Sequence, residues 1–117
     1  MMTSFFVSGN PVAKQSFRYS SGHGYTDPRI TAWQAVVGYR AREVFTEPIQ
    51  GAVIVKMFFY MRDKRRVDLD NLSKAVLDAC KNIAFGDDCN VTTLVLTKSV
   101  RKDNPGVLIV VIKGESA

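Results

Sequence analysis

The sequence predicts an α+β domain, a small mixed β-sheet with two helices in the order β-α-β-α-β-β. Two observations carry that expectation. Residues 51–61, Val91–Val100 and residues 107–113 are dense in β-branched and aromatic side chains, the composition of strands. Two other segments repeat apolar residues at helical spacing: Ile30, Trp33, Val37, Ala41 and Val44 in one, Leu72, Val76, Ala79 and Ile83 in the other. With 117 residues, 46% of them hydrophobic, the chain suits one core and one domain over residues 1–117. The helices are expected to cover the sheet as a single layer on one face.

In order, residues 3–8 alternate weakly through Phe5, Phe6 and Val7 and read as a first strand, stopped by Gly9, Asn10 and Pro11. Residues 11–27 read as one long loop in which Lys14, Phe17, Arg18, Tyr19, His23 and Tyr25 stand among Ser and Gly. Cations interleaved with aromatics suit phosphate contact and base stacking, with Lys14 and Arg18 the candidate contacts; a plain basic surface loop is the competing reading. Asp27 before Pro28 is a helix start, an acid at the cap and proline at the first position. Glu47 and Pro48 close that helix, and strand 51–61 follows. The second helix is expected from Asp70 or Asn71 to a stop at Ala84, Phe85 and Gly86. Asp87 and Asp88 fill the turn before Val91–Val100. Asn104, Pro105 and Gly106 then turn the chain into residues 107–113, so the last two strands are expected to form a hairpin.

The net charge of +5 and a pI near 9.4 favour a polyanionic partner. Cys80 and Cys89 do not make a disulfide framework, and His23, the one histidine, argues against a zinc site or a histidine-based triad. The N-terminus has no basic region followed by an apolar run, and the best apolar stretch, residues 52–61, carries Lys56 inside it. The expectation is a soluble protein of a reducing, cytoplasmic compartment with no membrane partner.

The chemistry concentrates in residues 67–74, Val-Asp-Leu-Asp-Asn-Leu-Ser-Lys. Read as extended or turn-like, residues 68–70 would point Asp68 and Asp70 the same way, since side chains two apart share a face. Convergent carboxylates call for a hard divalent cation between them. Lys74, one turn beyond Asp70 on the open face, would touch whatever the metal binds. Before this stretch stands the basic run 62–66, whose Lys64, Arg65 and Arg66 can hold a polyanion, and after it comes Asp88. An EF-hand fails, because the ligand positions counted from Asp68 fall on Leu72, Ser73 and Ala79. An aspartyl-phosphatase motif should follow a strand directly, and here a basic run intervenes. Asp68, Asp70 and Asp88 with Lys74 instead form the set of a metal-dependent nuclease. For an isolated D-x-D-N the better reading is a solvated helix face, its Asp/Lys pairs worth about 0.2–0.5 kcal/mol each. The flanking cations and the further acid pair shift that balance. Asp78 is expected to pair with Lys74 or Lys81. Leu77, off the apolar stripe, is a candidate for a subunit boundary.

Taken together, "VSGNPVAKQSFR", "GYTDPRITAW", "RRVDLDNLSKAVLDAC" and "FGDDCNV" resemble the RusA-type Holliday junction resolvases of bacteria and phages. The last two segments are the more specific. The resemblance implies a homodimeric endonuclease, dependent on Mg²⁺ or Mn²⁺, that nicks four-way DNA junctions symmetrically. It implies Asp68, Asp70 and Asp88 as metal-binding acids and Lys74 as the catalytic lysine. Asn71 falls in the family's "DLDN" and is expected to cap the helix. A nuclease acting on other branched DNA and a non-catalytic DNA-binding module are the alternatives.

Overall fold

The computed structural model describes residues 1–14, 18–20, 23–25 and 27–114, with 18–20 and 23–25 described by their backbone alone. The elements are β1 (Met2–Ser8), β2 (Arg18–Ser20), β3 (His23–Tyr25), α1 (Pro28–Val44), β4 (Val53–Met61), α2 (Leu69–Cys80), β5 (Val91–Val100) and β6 (Gly106–Lys113). Four strands make a mixed sheet in the order β1-β6-β4-β5, and β2 and β3 pair separately. The expected α+β class and element order hold for the main sheet. The stretch read as one long loop differs, because it contains the β2–β3 ribbon, with Arg18 opposite Tyr25.

β4 is buried at Val53, Val55, Met57, Phe59 and Met61 and half-buried at the residues between, the alternation of a strand covered on one face. Across β6 and β1 the same face continues, since Met57 is level with Ile109, and Ile109 with Phe5. These side chains join Val37 and Ala41 of α1 and Leu72, Ala75 and Val76 of α2 in one core. Both helices therefore lie on that face, as expected. At their contact, a Cβ on Gly38 would stand 3.4 Å from the Ala79 carbonyl, so a small residue there lets the helices approach closely.

α1 begins as its sequence dictates. Asp27 accepts a hydrogen bond from the Arg29 amide at 2.9 Å and Pro28 occupies the first turn. α2 starts earlier than expected, at Leu69 with Asp68 as its cap residue, and stops at Cys80, well before Ala84. Its buried stripe is Leu72, Ala75, Val76 and Cys80, while Ala79 and Ile83 are only half-buried.

The expected hairpin between the last two strands does not form. β5 runs parallel to β4, with Met61 level with Val100, and β6 runs antiparallel to β4 on its other side. Composition explains the choice. Residues 107–112 are continuously apolar and suit an interior strand, whereas β5 carries Thr92, Thr93, Thr97, Lys98 and Ser99 and suits an edge. The connection crosses the end of β4, where the Arg101 amide donates to the Met61 carbonyl and its guanidinium lies 4.3 Å from the Tyr60 ring centroid.

Candidate nuclease site at the start of the second helix

The connection from β4 to α2 is built as an arch. The Arg62 amide donates to Asn10 Oδ1 at 2.9 Å, and the Arg65 amide donates to Asp63 Oδ1 at 3.0 Å, an Asx turn that folds the basic run. Lys98 of β5 reaches across to donate to the Val67 carbonyl, immediately before Asp68. From the other side, the Lys14 amide donates to the Asn71 carbonyl at 2.9 Å. Residues 10–14, the arch and the first turn of α2 thus form one wall around a cleft of about 430 Å³.

Asp68 stands at this cleft. Its backbone is extended, and its side chain makes no capping hydrogen bond. Asn71 does not cap the helix as expected. It lies within the first turn, and its Nδ2 donates to Asp68 Oδ2 at 3.4 Å, so it orients the acid instead. Asp70 is the second residue of the helix, so the extended segment that would point it the same way as Asp68 does not form. The Lys74 ammonium lies 3.2 Å from Asp70 Oδ2, with both side chains mainly in solvent. Near the helix N-terminus the carboxylates also meet a favourable dipole.

The cations divide into two groups. Lys64, Arg65 and Arg66 are exposed along the arch, Arg65 3.7 Å from Asp63 Oδ2. Lys14 forms an ion pair with Asp78, which displaces the expected pairing of Asp78 with Lys74 or Lys81 and ties residue 14 to α2. The Arg18 side chain lies outside the described residues. Arg29 at the cleft rim, the Asn10 bond and the Lys98 bond escaped sequence reading, because each is a contact between distant segments.

Asp88 is elsewhere. It opens a 3₁₀ turn, Asp88–Asn90, whose preceding residue Asp87 accepts from the Asp88 amide at 2.7 Å. Asp87 also bonds Lys81 Nζ at 3.2 Å. The Asp88 amide and then Lys81 hold the Asp87 carboxyl below its ordinary value, and Asp87 raises Lys81 in turn. Lys81 is the residue after α2, so this turn sits at the helix's far end, roughly 16 Å along the axis from Asp70. The parallel register explains the separation, since the start of β5 is level with Val53 and its end with Met61. Among the described residues, no three His, Cys, Asp or Glu side chains gather closely enough to hold a metal ion. Carboxylate oxygens are the right donors for a hard divalent cation, and two of the three expected acids, Asp68 and Asp70, stand at the start of α2.

Leu77, the candidate for a subunit boundary, is half-buried and packs against the core. No helix among the described residues is long and apolar enough to cross a membrane.

Over 108 residues the chain is 28% identical to the crossover junction endodeoxyribonuclease RusA of Aquifex aeolicus (strain VF5), covering 89% of this chain and 86% of the relative. The family described as Endodeoxyribonuclease RusA matches residues 8–112, from the end of β1 into β6 and across every candidate residue, and the chain belongs to that family.

Proposed function

We propose that this endodeoxyribonuclease resolves four-way DNA junctions by paired nicks, using Mg²⁺ (with Mn²⁺ able to substitute) and acting as a homodimer in the cytoplasm. The observation that carries the reading is the juxtaposition at the start of α2, where Asp68 lines a cleft rimmed by exposed arginines and the Asp70–Lys74 pair stands on the helix that follows. Lys64, Arg65 and Arg66 bind the phosphates of the strand and set its path toward Asp68. Asp68 and Asp70 supply hard oxygen donors, and Asn71 fixes the orientation of Asp68. The divalent ion, when bound, supplies Lewis acidity toward a phosphate oxygen. Lys74 swings from Asp70 to the scissile phosphate and stabilises charge that develops on its oxygens.

The homodimer reading has its own support. β5 is a ten-residue edge strand with one neighbour, and Leu94, Val95 and Val100 on it are 39%, 38% and 44% exposed. A long, uncovered edge is a template for another strand. If two copies pair β5 antiparallel about a two-fold axis, the start of one strand meets the end of the other. Asp88 of one copy then stands beside Asp68 and Asp70 of the other, completing in the dimer the acid set that one chain leaves divided.

The test is cleavage of a synthetic four-way junction with and without Mg²⁺, against a linear duplex and a flap at equal concentration. Symmetric, Mg²⁺-dependent nicks on the junction are expected. Preferential cutting of the flap would point to other branched DNA, and binding without cutting would make the protein a DNA-binding module.

A further inference from the structure

Residues 64–68 belong to neither β4 nor α2, and among the described residues three hydrogen bonds hold their backbone. The Arg65 amide donates to Asp63 within the arch, and the Leu72 amide donates to the Asp68 carbonyl at 3.0 Å as the first bond of the helix. The third comes from far along the chain, where Lys98 of β5 donates to the Val67 carbonyl. That carbonyl is part of the peptide group that leads into Asp68. A lysine on an edge strand ordinarily keeps its charge in water and guards the edge against other strands. Lys98 is exposed, yet its ammonium is directed at a neutral carbonyl, with no acid partner among the described residues. Register explains the reach. Lys98 is level with Phe59, which is buried on the helix side of the sheet, so Lys98 leaves β5 toward the helices as well. Val67 and Asp68 line the cleft and Lys98 does not, so the ammonium holds this wall from outside.

We propose that Lys98 is a positioning residue of the nuclease site, which by fixing the 67–68 peptide holds the Asp68 carboxylate in place for a divalent ion. Asn71 orients that acid at its carboxylate, and Lys98 orients it at its backbone. No capping bond of its own fixes the Asp68 side chain. Groups that hold a metal-binding side chain in place change metal affinity or activity by about 10–100-fold when removed, although they do not touch the metal. This rests on the junction-nuclease reading and deepens it, adding a residue of β5 to a site otherwise built from α2 and the arch.

The experiment compares wild type, Lys98→Met and Lys98→Arg on a four-way junction, titrating Mg²⁺ under single-turnover conditions. Methionine keeps an apolar stem and cannot donate, whereas arginine can. In Lys98→Met the Mg²⁺ concentration giving half the maximal rate should rise by about tenfold or more, and in Lys98→Arg it should stay within about threefold of wild type. Lys98 is exposed, so the melting temperature should hold in both variants. In the protein without metal or DNA, hydrogen exchange of the Leu72 amide, which bonds the Asp68 carbonyl, should speed in Lys98→Met and not in Lys98→Arg. An unchanged Mg²⁺ midpoint in Lys98→Met overturns the assignment and leaves the nuclease reading standing. So does a shift that Lys98→Arg shares in full. Weaker junction binding by Lys98→Met without metal, with a salt slope smaller by about 0.9, makes Lys98 a phosphate contact and overturns the positioning role as well. A wild type that shows no Mg²⁺-dependent nicking overturns the underlying reading and this one with it.

Discussion

At the scale of single residues, Asp68, Asp70 and Lys74, at the cap and in the first two turns of α2, have different surroundings. Asp70 lies mostly in solvent with Lys74 as its partner, so its carboxylate serves no structural purpose that the core requires. Asp70→Asn should therefore leave the fold and junction binding intact, and removing a negative charge beside DNA should even favour binding. Turnover should fall at least about 1,000-fold, because metal stabilisation is worth several kcal/mol and each 1.4 kcal/mol or so is tenfold. Cleavage by the variant within a few-fold of wild type in Mg²⁺ would remove Asp70 from the site. Lys74→Ala should lower single-turnover cleavage by about 100-fold and affinity by less than about threefold, one exposed cation among 16 Lys and Arg contributing little to phosphate binding. Large loss of affinity with normal chemistry would make Lys74 a DNA contact only.

At the scale of elements, the arch between β4 and α2 carries the basic run, and its shape comes from the Asp63 turn, the Asn10 bond and Lys98. Junction affinity should fall steeply with salt, and replacing Lys64, Arg65 and Arg66 together by Gln should flatten the log–log slope by about 2–3 units, each phosphate contact contributing about 0.9. A slope unchanged in the triple variant would place the DNA elsewhere. α2 itself is held by its buried stripe, which ends at Cys80. Burial pushes that thiol up to about 12 from 9.0, so it stays protonated and unreactive in the native protein while exposed Cys89 does not share that protection. Because the folded value lies above the unfolded one, stability is fully present below the ordinary thiol value and declines as pH rises through this window. A thiol reagent should modify one cysteine per native chain near neutral pH and both after unfolding. Modification of Cys80 in the native state would show that α2 opens readily.

At the scale of the whole molecule, Asp88 lies at the far end of α2 from Asp68 and Asp70, and the proposed dimer would reunite them. If the acids come from two copies, mixing Asp70→Asn and Asp88→Asn chains, each inactive alone, restores one intact site in every mixed dimer. Random exchange yields half mixed dimers with one of two sites, so roughly a quarter of wild-type nicking should return. If each chain holds its own complete site, every site in the mixture is damaged and nothing returns. Leu94→Lys with Val100→Lys should shift the protein toward monomer in sedimentation and abolish paired nicking. A wild type that sediments as a monomer at micromolar concentration would sink the dimer reading.

What the sequence by itself determined was local in the chain. Asp27 before Pro28 starts α1 because cap and first turn are neighbours. The apolar runs became strands, and Asp68, Asp70, Lys74 and the basic run stood out as candidates because they lie within a few residues of each other. Even there the reading of residues 68–70 as extended holds only for Asp68, because α2 already begins at Leu69. The tertiary structure alone decided which strands are neighbours. Residues 91–100 and 107–113, joined by a short turn, look like a hairpin, yet β4 lies between them because it needs a partner on each side and β6 is apolar enough to be interior. That one choice sets β5 parallel to β4, carries Asp88 to the far end of α2 and leaves a strand edge open. Lys14 bonded to Asp78 and Lys98 bonded to the Val67 carbonyl follow from the same long-range packing. Strand order is a pairing between distant segments of similar composition, and composition alone does not specify it.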